Sequence, residues 1–239
     1  MVNENRRIQS VERALSLLEA LAQAGGAARL ADLAVRLELD KGTTHGLLNT
    51  MAAMGYVARH GTLYALGLRL RDVAQPLADA DARLRAAFGP ALRALAERSG
   101  ETCYLAVPCG TRDYLYIDAL EGSGSLRVAS PRGRREGLTT SAIGRVFLAH
   151  EPALVRSLRR AGLLPGGLET ALVQIAGQGY ALDLQEAEPG LHCLAMPLRQ
   201  QGRVVAALGL AGPAQRLREA ALHRLARNAM RDFFDIVKI

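Results

Sequence analysis

Apolar residues recur at helical spacing over Ser10–Ala24, at positions 11, 14, 15, 17, 18 and 21. One apolar stripe with a polar opposite face predicts an amphipathic helix, capped by Ser10 and ended by Gly25-Gly26. A short second helix is predicted over Leu30–Leu37 and a third over Lys41–Met54, with Asp40 as N-cap and Gly55 as the glycine beyond its end. Tyr56–Leu66 then reads as two short β-prone runs around His60-Gly61-Thr62, a hairpin. Three helices and a hairpin in this order predict a winged helix-turn-helix, with helix two bracing helix three.

Leu68–Ala87 is helix-prone, interrupted by Pro76, and reads as a linker. Ala86–Ser99 reads as a separate helix ended by Gly100. Beyond it the period shortens. Strands are predicted at Thr102–Val107, Tyr114–Ala119, Leu126–Ala129, Tyr180–Leu184, Leu191–Leu198 and Val204–Leu210. Helices are predicted at Thr140–His150, Glu151–Ala161, Leu168–Gly177 and Leu217–Val237. The fold class is α+β with a mostly antiparallel sheet. The expected domain limits are residues 1–67 for the winged helix-turn-helix, 68–85 for a linker helix, and 86–239 for the α+β domain.

The 239 residues are 49% hydrophobic and 22% charged, a globular balance. No apolar run approaches the roughly 18 residues of a membrane span. Residues 1–13 lack the apolar core of a secretory signal. Three cysteines without a CxxC spacing argue against a disulfide framework and against a cysteine-rich zinc site. The expectation is a cytoplasmic protein with no cofactor and no metal. The formal net charge of +7 does not locate a nucleic-acid site. Residues 1–75 carry nine basic and seven acidic side chains, so most of the excess lies further along.

Candidate chemistry starts on the third helix. Lys41, Thr43, Thr44, His45 and Asn49 offer short donors, an imidazole and an amide, which suit base edges and phosphates close to a helix. Arg59 and His60 on the hairpin are placed to reach the neighbouring backbone. A small helical bundle with a polar face is the competing account of the same pattern. In the second half, Cys193 reads first as a small buried hydrophobe. His192 and Cys193, as neighbours on one strand, point to opposite faces and cannot form a dyad. Glu186 and Glu188 near Asp183 read as a solvated loop with one structural acid. Arg132, Arg134 and Arg135 read as a solvated run, with a ligand gate or a partner contact behind that reading. No Ser/His/Asp set, metal-ligand spacing or GxGxxG supports an enzyme. An enzyme or a ligand-binding module without DNA affinity is kept as the alternative.

Three stretches carry a family resemblance. The first runs Ile8–Leu15, Leu33-Ala34, Leu39–Leu48 and Gly55-Tyr56-Val57. The second is Gly137–Ala149. The third is Gly179–Glu186, Gly190–Pro197 and Val204–Pro213. In this order and spacing the chain resembles the IclR family of bacterial transcriptional regulators. The resemblance implies a homodimeric or homotetrameric repressor or activator with a GAF/PAS-like effector-binding domain. Its partners would be operator DNA and a small organic, often aromatic, acid. It places the effector at Ser141, Ala142, Ile143, Gly144, Asp183, Cys193, Gly209 and Ala211. There are departures: Gly42 and Gly46 stand where the family usually has Ser and Arg, which removes a DNA contact. Gly209 and Ala211 stand where serines are common. That predicts a roomier pocket with fewer donors and a larger or more apolar ligand.

Overall fold

The computed structural model describes residues 8–236, with side chains through Asp232. These residues fall into two compact units divided between Asp79 and Ala80, inside the predicted linker.

In the first unit, α1 (Gln9–Gln23), α2 (Leu30–Arg36) and α3 (Lys41–Ala53) pack with a three-stranded antiparallel sheet. The strands β1 (Ala27–Arg29), β2 (Val57–His60) and β3 (Leu63–Leu66) lie in the order β1-β3-β2. Leu17 and Leu21 of α1, Leu33 of α2, Leu48 of α3 and Tyr64 of β3 meet in one core. Two boundaries differ from the sequence reading. Helix α1 starts at Gln9 after Ile8, and Ser10 lies inside its first turn rather than capping it. Strand β1 is too short, at three residues, for periodicity to register. Gly55 ends α3 with φ near +80°, a conformation glycine adopts without a Cβ penalty.

The second unit holds a six-stranded antiparallel sheet in the order β6-β5-β4-β9-β8-β7. The strands are β4 (Thr102–Cys109), β5 (Asp113–Leu120), β6 (Arg135–Gly137), β7 (Ala181–Leu184), β8 (Leu191–Gln200) and β9 (Arg203–Pro213). Period-two alternation gives the sheet two apolar faces. One packs on Phe88, Leu92 and Leu95 of α4 (Arg69–Ser99) and on Leu222 and Ala226 of α8 (Glu219–Ile236). The other packs on α5 (Ala142–His150), α6 (Pro152–Arg160) and α7 (Leu168–Gln178) through Phe147, Leu158 and Leu172.

Two predictions for this half need correction. The linker and the following helix are one 31-residue helix, α4, which runs through Pro76. Residues 71–79 are exposed all round, so the carbonyl that loses its N–H partner to the proline faces water. The predicted strand at Leu126–Ala129 is irregular backbone, and the ladder continues instead at β6. Its carbonyls are taken by side chains: Thr102 Oγ1 donates to Val128 O at 2.7 Å and Arg216 Nη2 to Leu126 O at 2.7 Å. Both edges of β4 are already filled by β5 and β9.

Candidate functional site

The DNA-facing candidates sit on α3 and the hairpin. Asp40 caps α3, its Oδ1 accepting the Thr43 N–H at 2.8 Å. Hydrogen bonds from the Thr43 side chain and backbone hold the Asp40 carboxyl below its ordinary range. Lys41, His45 and Asn49 are exposed at four-residue steps, with Gly42, Gly46 and Thr50 beside them, so one polar face runs along the helix. Asn49 Nδ2 lies 3.2 Å from His45 Nε2, which orients both side chains together. Thr44 does not belong to this face. It is fully buried, and its hydroxyl donates back to Asp40 O at 2.9 Å. The sequence reading of Thr44 as a DNA contact is therefore corrected: the fourth residue of the helix turns its side chain into the core. Thr43 is half-buried and serves the cap.

On the hairpin, Arg59 and His60 are exposed at the end of β2, just before the two-residue turn Gly61-Thr62, since His60 pairs with Leu63. The Arg59 guanidinium lies 5.6 Å from the Tyr64 ring centroid, and its Nε donates to Gly61 O at 3.1 Å. Arg59 thus stiffens the tip while its terminal N–H groups face outward.

Of the eight predicted effector positions, Ser141, Ala142, Ile143 and Gly144 form the cap and start of α5, and Asp183, Cys193, Gly209 and Ala211 lie on the sheet face that α5 covers. Asp183 pairs with Cys193, Cys193 with Ala211, and Ala211 with Thr102, so these four side chains share one face across β7, β8, β9 and β4. Gly209 stands one step along, opposite Tyr104 and Ala195. Helix α5 enters over this face because Gly144 lets it approach the Leu138 carbonyl. A Cβ at Gly144 would sit 2.2 Å from that oxygen.

The space at Gly209 is filled. A Cβ there would lie 2.7 Å from Ile143 Cδ1, so the missing serine is replaced by the Ile143 side chain and not by a void. The expectation of a roomier pocket at this position is corrected accordingly. Ser141 is also committed: its Oγ caps the Gly144 N–H at 3.2 Å and meets Tyr114 Oη at 2.8 Å.

Asp183 is buried. Its Oδ1 accepts the N–H groups of Glu186 at 2.8 Å and Ala187 at 3.3 Å, while the buried Oδ2 has no partner among the described residues. An orphaned buried carboxylate oxygen is costly to leave unsatisfied. Arg145 of α5 pairs with Glu186, and its buried Nε likewise lacks a partner among the described residues. That pairing raises the guanidinium and lowers the Glu186 carboxyl. Burial first, then the charges of Asp183 and Glu136, push the Cys193 thiol up to about 12.

The sequence reading missed Tyr104, Tyr114, Tyr116, Glu136 and Arg145. Glu136 Oε2 accepts the hydroxyls of Tyr114 at 2.6 Å and Tyr116 at 2.9 Å. The Tyr104 and Tyr116 rings meet edge-on at 5.3 Å. Burial raises all three phenols. The signal was present as Tyr-x-Tyr at strand spacing, with the third tyrosine on the neighbouring strand.

A winged helix-turn-helix with an exposed polar third helix is followed by a sheet domain whose α5-covered face carries buried polar groups. Comparison with known proteins gives the family. The IclR helix-turn-helix domain model matches residues 10–61, and the bacterial transcriptional regulator IclR C-terminal model matches residues 78–233. The chain is 33% identical over 230 residues to the HTH-type transcriptional regulator XynR of Escherichia coli K12, covering 90% of each. It is 33% identical over 226 residues to the transcriptional repressor IclR of the same strain, covering 88% of this chain and 82% of that one. Among solved structures, an IclR homologue from Microbacterium hydrocarbonoxydans, complexed with 4-hydroxybenzoate, superposes with a TM-score of 0.72 at 22% identity, covering 96% and 99%. The chain belongs to the IclR family of bacterial transcriptional regulators. It pairs an N-terminal DNA-binding domain with a C-terminal effector-binding domain. Among the described residues no helix is long and apolar enough to cross a membrane.

Proposed function

We propose that this regulator reads operator DNA as a homodimer in the cytoplasm and changes its DNA affinity when a small organic acid binds over the sheet of its C-terminal domain. The carrying observation is the start of α5. Ser141 caps Gly144, and the preceding N–H groups of Ala142 and Ile143 have no intrahelical partner. A helix start with free N–H groups favours a carboxylate, and this one lies over the face that holds the orphaned Asp183 oxygen. The relative bound to 4-hydroxybenzoate supports an acid of this size.

The DNA-reading residues in this proposal are Lys41, His45 and Asn49 on α3, with Arg59 and His60 on the hairpin. Dimerisation is supported by exposed apolar side chains on two helices of the first unit: Ile8, Val11 and Leu15 at the start of α1, and Val73 and Leu77 on α4. Helix α4 serves as the linker, and the domain limits follow the sequence reading. The protein acts by binding rather than turnover, in keeping with relatives that are regulators. The effector shifts DNA binding only through its differential affinity for two arrangements of the protein.

A gel-shift titration with the intergenic DNA upstream of the chain's own gene tests this. The expected result is a shift that a screened organic acid weakens or strengthens. No shift at low salt, with or without acids, overturns it.

A further inference from the structure

Helices α6 and α7 each pack on α5, and a groove of about 500 Å³ runs between them. Residue spacing explains its walls. Pro152, Val155, Arg156 and Arg159 stand at i, i+3, i+4 and i+7 on α6, so they share one face. Glu169, Leu172, Val173 and Ala176 repeat that spacing on α7, and Leu148 and Ala149 of α5 complete the lining. An ion pair between Arg159 and Glu169 joins the two helices at one end. Pro152 and Ala176 stand furthest from that pair along their helices, about 10 Å of helix away. Between the two ends the lining is apolar apart from Arg156.

The charge of this groove is one-sided. Arg156 is exposed, and its guanidinium has no partner among the described residues. Glu169 is the acid in the lining, and Arg159 already neutralises it. One uncompensated cation therefore stands beside an apolar trough, which rewards a molecule with an anionic head and an apolar body. The volume falls within the span of small-molecule sites, about 300–1,000 Å³. A second copy of the chain fits less well. Val173, 74% exposed, and Leu163 are the large apolar side chains that α6, α7 and their connection leave exposed. A stable interface covers about 800 Å² on each partner around an apolar centre, more than these two supply.

We propose that the α6–α7 groove is a ligand site separate from the predicted effector positions, and that it takes an amphipathic carboxylate of medium chain length. The carboxylate pairs with Arg156, and the chain lies along Val155, Val173 and Ala176 toward Pro152. Leu148 stands one turn beyond Gly144 on α5, so the bound chain packs on the same helix whose start carries the Ser141 cap. The site stands on its own lining and does not depend on the acid-effector reading of the sheet face.

The experiment is calorimetric titration of the full chain with octanoate, butyrate, octanol and octylamine. Octanoate should bind about 10-fold or more tightly than butyrate, because each buried methylene adds to binding. It should also bind more tightly than the alcohol, with the amine weakest. Val173→Glu places a carboxylate over the trough and Arg156→Glu inverts the charge that meets the head. Each should weaken octanoate by about 10-fold or more. Both side chains are exposed, so the unliganded variants should melt with the parent, and a variant that misfolds leaves the other to decide. No octanoate binding, or octanoate binding that the folded variants retain, overturns the site; the second result places octanoate elsewhere and leaves the effector reading standing. Octylamine binding as tightly as octanoate overturns the preference for a carboxylate. A parent chain that forms a larger oligomer than Val173→Glu in analytical ultracentrifugation assigns the groove to contact between copies and overturns the ligand reading.

Discussion

At the scale of single residues, the recognition helix shows how one turn separates function from packing. Thr44 and His45 are adjacent, yet one is buried under the helix and the other is exposed on its polar face. His45→Ala should weaken operator binding in a gel shift and leave the melting temperature within a degree or two. Thr44→Ala should lower stability by about 1 kcal/mol in urea unfolding, since it removes a buried hydroxyl and its bond to Asp40 O. The reverse pattern would place DNA contact on the wrong face. Gly46 permits a gain-of-function test. A Cβ there meets nothing within 4 Å, on the exposed face of α3. Gly46→Arg should stabilise the helix by about 0.5–1 kcal/mol and tighten operator binding. It should also steepen the salt dependence by roughly one unit if the new charge meets a phosphate. An unchanged salt slope would show that the new side chain does not reach the backbone. Gly42 is less permissive, because a Cβ would press on the Asp40 cap at 3.2 Å.

At the scale of elements, most helices were legible because their apolar stripes are long and regular, and α3, α5 and α7 fall within two residues of the sequence reading. The failures have separate causes. Strand β1 and β6 are three residues each, and a period of two needs more than that to be seen. The β-prone residues at 126–129 were outbid by side chains from β4 and from the segment before α8, which a linear reading cannot bring near. Pro76 reads as a break, but in an exposed stretch the lost hydrogen bond is replaced by water and α4 continues. The apolar exposure on α1 and α4 is the element-level prediction. Val11→Glu combined with Leu77→Glu should convert a dimer to a monomer in analytical ultracentrifugation and reduce operator affinity at least 10-fold. Each single domain should keep its circular dichroism, because both side chains lie outside the core. A variant that remains dimeric would assign the interface elsewhere.

At the scale of the whole molecule, the second unit gathers buried acids whose ionisation the fold opposes. Burial pushes the thiols of Cys103 and Cys193 from an ordinary 9.0 up to about 12, and raises Tyr104, Tyr114 and Tyr116 as well. Between pH 9 and 12 the unfolded chain releases these protons and the native protein keeps them, so the unfolded state binds fewer protons and stability falls as pH rises. The stabilisation is complete below about pH 9. The expected result is a melting temperature that drops steeply above pH 9 and is flat from 7 to 8.5, and Cys103→Ala or Cys193→Ala should make the alkaline slope shallower. A slope unchanged in both variants would remove the thiols from the cause. Local periodicity, capping residues and the order of motifs determined the winged helix-turn-helix, the α+β class and the family, because those properties depend on residues within a few turns of one another. Tertiary structure decided which of the named residues work together. Thr44 went into the core, Ile143 filled the space over Gly209, and Glu136 came from a short edge strand to sit among tyrosines of β4 and β5. These outcomes depend on strand register and on how closely α5 approaches the sheet, and both are set by packing between residues far apart in the chain.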